Sequence, residues 1–253
     1  MSATVIEHAG GRAEVRLTPW DERALGMRTA EIVRLEVSDD PAGRPLIEEV
    51  ERWGRENGVR YLFGRVDAAA PSAKKAVLDA GFAIVECSIA LSRAGFAGLP
   101  PVPARMRPAL RPAEEADIGE LERIARDDFN HGRFLEDPAI DPALAAARTA
   151  NWIGDLVRQR LAYAATSNGK LIGFHAERVS ADGRHADLIL TGATGRYAIM
   201  AMPLWITALE SLSARGVQDC STLISAANTG IVNLYARLGF RFDTTLFGFR
   251  KYL

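Results

Sequence analysis

Cysteine is scarce in this chain of 253 residues: there are two, Cys87 and Cys220. They stand far apart and outside any C-x-x-C or Cys/His spacing, which argues against a zinc site and a disulfide framework. Both fall in apolar, strand-like runs, where a buried free thiol is the ordinary outcome. Charge of one sign is equally short. The 31 basic and 32 acidic residues leave a net charge of −1 and a pI near 6.5, which gives no electrostatic footprint for nucleic acid or an anionic membrane surface. No run approaches the ~18 consecutive apolar residues of a membrane span, and residues 1–11 lack the basic-then-apolar pattern of a signal peptide. These absences predict a cytoplasmic protein with no metal, no nucleic-acid partner and no membrane partner.

The remaining composition suits a globular fold, and the length allows one large domain or two of about 125 residues. Residues 96–108 (FAGLPPVPARMRP) are rich in Pro, Gly and Ala, and their prolines do not fit a helix interior or a central strand. This stretch predicts a linker between domains at 1–95 and 109–253.

A repeat organises the chain around that linker. Residues 58–82 (GVRYLFGRVDAAAPSAKKAVLDAGF) and 216–240 (GVQDCSTLISAANTGIVNLYARLGF) both open with Gly-Val and close with Gly-Phe. The offset is constant, since 216 − 58 = 158 and 239 − 81 = 158. Each copy reads as a helix (41–57, or about 198–215) stopped by a Gly in the left-handed region. A strand (61–66, 221–225), a second helix (72–80, 230–238), another Gly and a further strand follow.

The second half fills in the rest. Ala109–Arg111 predicts a short strand stopped by Pro112, and residues from Glu114 predict a helix with Ile118, Leu121 and Ile124 on one face. A polar, aromatic loop spans 129–140. A helix follows over 141–160, with Asp141 as N-cap and Pro142 at its first position. Strands at 161–166, 171–179 and 185–191 are joined by an Asn168-Gly169 turn and an Asp182-Gly183 turn. A Gly-containing loop, 192–197, leads into the helix of the second repeat. An antiparallel meander joined by a long helix to a further strand implies an α/β fold with a mixed sheet.

Ala227-Asn228 followed by Asn233-Leu234-Tyr235-Ala236-Arg237-Leu238-Gly239-Phe240 resembles the GNAT acyltransferase superfamily, whose pattern here is an Asn, a Tyr about seven residues on, then x-x-x-Gly-Phe. Trp20-Asp21, Arg133-Phe134, Asp137-Pro138 and Trp152-Ile153 resemble, thinly but over most of the chain, the two-domain TDP-fucosamine acetyltransferase type within it. The resemblance implies tandem GNAT-like halves, the N-terminal one partial or diverged, and an acyl-CoA cosubstrate. One element departs. The family loop that holds the CoA diphosphate reads Arg/Gln-x-x-Gly-x-Gly/Ala at a helix N-terminus, where backbone N–H groups and the helix dipole favour an anion. Here it is Arg196-Tyr197-Ala198-Ile199-Met200-Ala201. Ile199 stands at the central Gly, and Pro203 removes one amide soon afterwards.

Amide formation from a thioester needs an oxyanion donor, an acid for the thiolate and a base for the amine. Tyr235 is the candidate acid, because phenol and thiol pKa values are close; its alternative is a helix aromatic packed on the sheet. The repeat supplies a control: Tyr235 corresponds to Val77 and Asn228 to Ala70, so the first copy lacks both groups. By resemblance, backbone N–H groups near Ile189, Leu190 and Thr191 meet the oxyanion, while Arg196, Tyr197, Ala198 and Ala201 form the donor loop. Asn228 either holds the donor's pantetheine or caps a helix. His175 and Glu177, two apart on one strand and so on one face, are candidate bases or a solvated outer face, and Asp187 on the next strand is a candidate neighbour. His131 and Arg133 fall where an acceptor would bind; Arg133 grips a phosphate or is a surface charge. Trp152 is core or a stacking platform.

The resulting expectation is a cytoplasmic N-acyltransferase moving an acyl group, acetyl first, from acyl-CoA to a small amine such as an amino-sugar nucleotide, with a homodimer suggested by related enzymes. One alternative keeps the fold without CoA and acts on a carrier-protein-bound or other natural-product intermediate. Another is a non-catalytic ligand binder.

Overall fold

The computed structural model describes residues 3–8, 10–38 and 40–253, without the side chains of residues 40 and 41. In chain order the strands are β1 (Thr4–His8), β2 (Gly11–Leu17), β3 (Thr29–Val37), β4 (Tyr61–Asp67), β5 (Ala83–Ala94), β6 (Ala109–Pro112), β7 (Ala162–Ser167), β8 (Lys170–Val179), β9 (His185–Ala193), β10 (Asp219–Ser225) and β11 (Arg241–Tyr252). The helices are α1 (Pro19–Leu25), α2 (Asp40–Glu56), α3 (Pro71–Asp79), α4 (Ile118–Asp128), α5 (Pro142–Arg158), α6 (Ala201–Ala214) and α7 (Thr229–Arg237).

The repeat extends to the element limits. Adding 158 to the ends of β4, α3 and β5 gives the ends of β10, α7 and β11. Gly58, Gly81, Gly216 and Gly239, the four glycines of the motif, all have φ between 69° and 86°. This left-handed conformation disfavours any residue with a Cβ, which explains why the same residue recurs at the same place.

The chain forms two compact units, but they are not the contiguous halves expected on either side of the linker. Unit 1 comprises 1–89, 132–144 and 244–253, and unit 2 comprises 90–131 and 145–243. The strand order in unit 1 is β1-β2-β3-β4-β11-β5. Most of β11, the last strand of the second repeat, therefore serves unit 1, where it pairs antiparallel with β4 from Leu246↔Asp67 to Tyr252↔Tyr61. Helices α2 and α3 cover one face of this sheet, over a core that includes Ile32, Leu46, Ile47, Leu62, Val77 and Phe249.

In unit 2 the order is β5-β10-β9-β8-β7-β6. Pro112 lies within β6, opposite Tyr163, rather than after it; β6 is an edge strand, where a missing N–H is tolerated. Ile118, Leu121 and Ile124 of α4, the face its spacing predicts, pack with Ile153 and Leu156 of α5 on Phe174 and Ala176 of β8. The expected 198–215 helix is divided. A 3-10 stretch, Gly195–Met200, has non-helical backbone at Tyr197 and precedes α6. The Gly195–Ala214 run is long and apolar enough to cross a membrane by length and composition, although Arg196 and Glu210 interrupt it and it holds no run of consecutive apolar residues of that length. Yet 44% of its window is buried, with Leu204, Trp205, Leu209 and Leu212 in the core.

Candidate active site

The site begins where two strands part. Among the described residues, β9 and β10 pair in parallel at His185↔Asp219, Ala186↔Cys220 and Asp187↔Ser221, although both strands run on. One residue further, the Thr222 hydroxyl donates to the Leu188 carbonyl at 2.9 Å. At this level β9 also carries an extra residue against β8: Glu177 faces Leu188 and Ala176 faces Leu190, so Ile189 forms a bulge. A bulge leaves a residue outside the ladder and re-aims its neighbours. The burial alternation of β9 stops here, with Ile189, Leu190 and Thr191 all half-buried. The three residues expected near an oxyanion thus sit on a bulged strand beside a fork.

His175 and Glu177 point to the face opposite Phe174 and Ala176, and this face is no solvated outer surface: the two are only 2% and 3% exposed. His175 Nε2 lies 2.8 Å from Glu177 Oε2, and Nδ1 lies 2.8 Å from Thr191 Oγ1 on β9. Arg215, just past α6, donates to Glu177 Oε1 and to the Tyr163 hydroxyl. Burial opposes ionisation of Glu177, but its bonds to His175 and Arg215 outweigh that and hold its carboxyl below the usual range. When His175 is neutral, an anionic Glu177 favours the tautomer with its proton on Nε2, which leaves Nδ1 to accept from Thr191. Asp187 is not part of this group. It is exposed and lies with His185 and Ser221, because it stands opposite Arg178 in the register and so points to the other face from Glu177.

Tyr235 is 4% exposed, with its ring edge-on to Phe240 (centroids 4.7 Å apart) and Trp205 (6.4 Å). Burial pushes its phenol up to about 12, against the opposing pull of the Trp205 and Thr222 side chains. Thr222 is the residue at the fork, so the phenol faces the point where β9 and β10 separate. Among the described residues, the buried Trp205 Nε1 has no well-formed hydrogen bond. Cys220 is a buried free thiol, pushed up to about 12 by its burial.

The loop before α6 does not present itself to a diphosphate. Its Gly195 N–H donates to Asp128 Oδ1 at 2.9 Å, and the Tyr197 N–H donates to the Thr194 carbonyl at 2.7 Å. The Ala201 N–H is taken by Ala198. Arg196 and Ala198 are exposed and Tyr197 half-buried. Ile199 is 76% exposed, with its side chain at the site of the family glycine. The residues present do not fit the anion.

The other candidates are dispersed. Asn228 caps α7, accepting from the Ile231 N–H at 3.1 Å. Trp152 is partly buried against the unit 2 core, with the Arg148 guanidinium 4.6 Å from its ring centre. His131 is exposed in unit 2. Arg133 belongs to unit 1, paired with Glu31 at 3.3 Å and stacked over Phe63 at 4.3 Å; with its side chain 12% exposed it is no surface charge. In the same unit, Asp137 accepts from the Tyr61 hydroxyl at 2.7 Å and from Arg250 at 3.0 Å. Sequence reasoning missed Arg215, Thr222, Trp205 and Asp128. Arg215 had a signal, being a cation at the C-terminus of a Gly-capped helix; the other three act through contacts distant in sequence. Among the described residues, no group of three or more His, Cys, Asp or Glu could hold a metal ion.

No family model matches the sequence, and no curated protein matches it. Solved structures do. A GCN5-related N-acetyltransferase from Sphaerobacter thermophilus matches with 17% identity and a TM-score of 0.66, over 96% of this chain and 77% of that one. A tandem GNAT protein from the clavulanic acid biosynthesis pathway matches with 17% identity and a TM-score of 0.65, over 96% and 78%. A glucosamine N-acetyltransferase region of a fungal multi-domain β-N-acetylglucosaminidase matches with 14% identity and a TM-score of 0.62, over 94% of this chain and 31% of that one. At such identities the likeness is one of fold: this chain has the mixed α/β architecture of tandem GNAT proteins.

Proposed function

We propose that this chain, built on the fold of the GNAT acetyltransferases, is an N-acyltransferase that moves an acyl group, acetyl first, from a thioester to a small primary amine. The observation that carries the reading is the fork at Leu188 and Thr222 with the bulge at Ile189 beside it. A thioester lying in the fork would meet backbone N–H groups of Ile189–Thr191 at its carbonyl and the Tyr235 phenol at its sulfur. Such preorganised donors act where charge develops.

The amine nitrogen attacks the carbonyl carbon, forming the C–N bond as the C–S bond breaks. The amine proton passes to Thr191 Oγ1 as the Thr191 hydrogen moves to His175 Nδ1, and anionic Glu177 stabilises the imidazolium. The Tyr235 phenol gives its proton to the departing thiolate and recovers one from solvent, to which the His175 imidazolium releases the proton it took. Burial penalises a thiolate as it penalises a phenolate, so the raised phenol remains matched to a leaving group in the same setting.

Acyl-CoA is the donor that the fold family implies. Amino sugars, free or as nucleotides, are the first acceptors to screen, in line with the similarity to a glucosamine N-acetyltransferase region. The test is thiol release from acetyl-CoA and from S-acetyl-pantetheine with a panel of amines. Amine-dependent release that Tyr235→Phe suppresses supports the reading; no release from either thioester with any amine sinks it.

A further inference from the structure

Asp128 is the last residue of α4, and its carboxylate occupies a backbone donor of the loop that leads into α6. Its delivery there is built in. Phe129, the next residue, stacks on Phe174 with ring centres 5.6 Å apart and planes 8° apart. The same ring lies so close to Gly192 that a Cβ there would fall 2.5 Å from it. Phe129 is thus held between a core ring and the end of β9, which fixes where α4 ends and aims Asp128 at Gly195. A Cβ on Gly195 would already stand 3.0 Å from Asp128 Oδ1.

A phosphate oxygen seeking the Gly195 N–H would compete with a carboxylate for one hydrogen and meet a like charge at contact distance. Three further positions are closed to it: the Tyr197 and Ala201 amides bond within the loop, and Pro203 has none. Ile199 adds an exposed apolar side chain where an anion would need close approach to the backbone.

We infer that Asp128 is a specificity-determining residue that excludes a nucleotide diphosphate from this loop, and that the donor is a pantetheinyl thioester engaged without one. The inference rests on the acyl-transfer reading for its thioester but not for its test, which reads binding. The same arm occurs as free acyl-pantetheine and as the phosphopantetheine of a carrier protein. A turnover arm that compares S-acetyl-pantetheine with an acetylated phosphopantetheinyl carrier protein distinguishes the two sources, the faster substrate identifying which is used.

The experiment is titration calorimetry of the full chain with free CoA and with pantetheine, on the wild type, Asp128→Asn and Asp128→Ala. The Asn variant keeps the shape and removes the charge, so it stands in if the Ala variant folds poorly. In the wild type, CoA is expected to bind no more than about threefold tighter than pantetheine. Either variant should raise the CoA-to-pantetheine affinity ratio by about tenfold, ~1.4 kcal/mol. Wild-type binding of CoA about 100-fold tighter than pantetheine, an unchanged ratio in both variants, or no wild-type binding of pantetheine would overturn the inference. Failure of the acyl-transfer reading looks different: pantetheine binds, but no thioester releases thiol.

Discussion

The Thr222 hydroxyl donates to the Leu188 carbonyl at 2.9 Å, one residue past the last pair between β9 and β10. Where two strands separate, the first unpaired carbonyl needs a partner or water, and this side chain supplies one while facing the Tyr235 phenol. The opening of the sheet and the placement of the candidate acid thus share one residue.

Thr222→Val keeps the shape of the side chain and deletes the donor. Leaving the Leu188 carbonyl without its bond should cost about 1–2 kcal/mol, read as a lower urea midpoint with an unchanged slope. Thr222→Ser should recover most of it. A Ser variant no more stable than the Val variant would mean that the methyl group, not the hydroxyl, matters at the fork.

Tyr235→Phe retains the edge-on ring contacts with Phe240 and Trp205, so stability should change by less than about 1 kcal/mol. If the phenol protonates the thiolate, turnover should fall about 10²-fold with little change in acceptor KM. The wild-type phenol, pushed up to about 12, keeps its proton through the usual assay range, so no alkaline limb there should come from Tyr235. Unchanged turnover in the variant would leave it as a packed aromatic.

Glu177→Gln removes a buried charge that answers Arg215 and His175. The folded carboxyl is held below its ordinary range, so its stabilising contribution is fully present above the unfolded value of about 4.3 and is lost as pH falls through the lower folded value. The wild type should exceed the variant by about 1.5–3 kcal/mol at neutral pH, the worth of hydrogen bonds to a charged group, and the gap should narrow below about pH 4. Urea titrations across that window check it, and a gap independent of pH would remove Glu177 as its source.

What the sequence made legible was local. The left-handed glycines, the helix face of α4 and the shared face of His175 and Glu177 follow from residue type and spacing within one or two turns of chain. What escaped was long-range. The Thr222 bond to Leu188 closes 34 residues, and Asp128 reaches Gly195 across 67. No periodicity encodes such contacts. Likewise, β11 reads plainly as a strand, but nothing in its own residues says that it completes a sheet with β4. Arg133 reads as a phosphate grip or a surface charge because a charged residue in a polar loop is usually exposed; its pairing with Glu31 depends on a residue 102 positions away.

The repeat permits a paired stability test on two equivalent helices. Asn228 caps α7 through its side chain, whereas Ala70, its counterpart 158 residues earlier, precedes α3 with no side-chain cap. The two positions have similar backbone, φ −81° and ψ 71° against φ −100° and ψ 86°, so an Asn at 70 can point its oxygen at the first turn as Asn228 does. Asn228→Ala should cost about 1 kcal/mol, and Ala70→Asn should gain a similar amount at most. The double variant should return close to wild type, because the helices make separate caps and distant effects add. Thermal and urea unfolding of all four proteins would measure this. A loss of thioester turnover in Asn228→Ala larger than its stability change explains would instead give Asn228 a part in holding the donor.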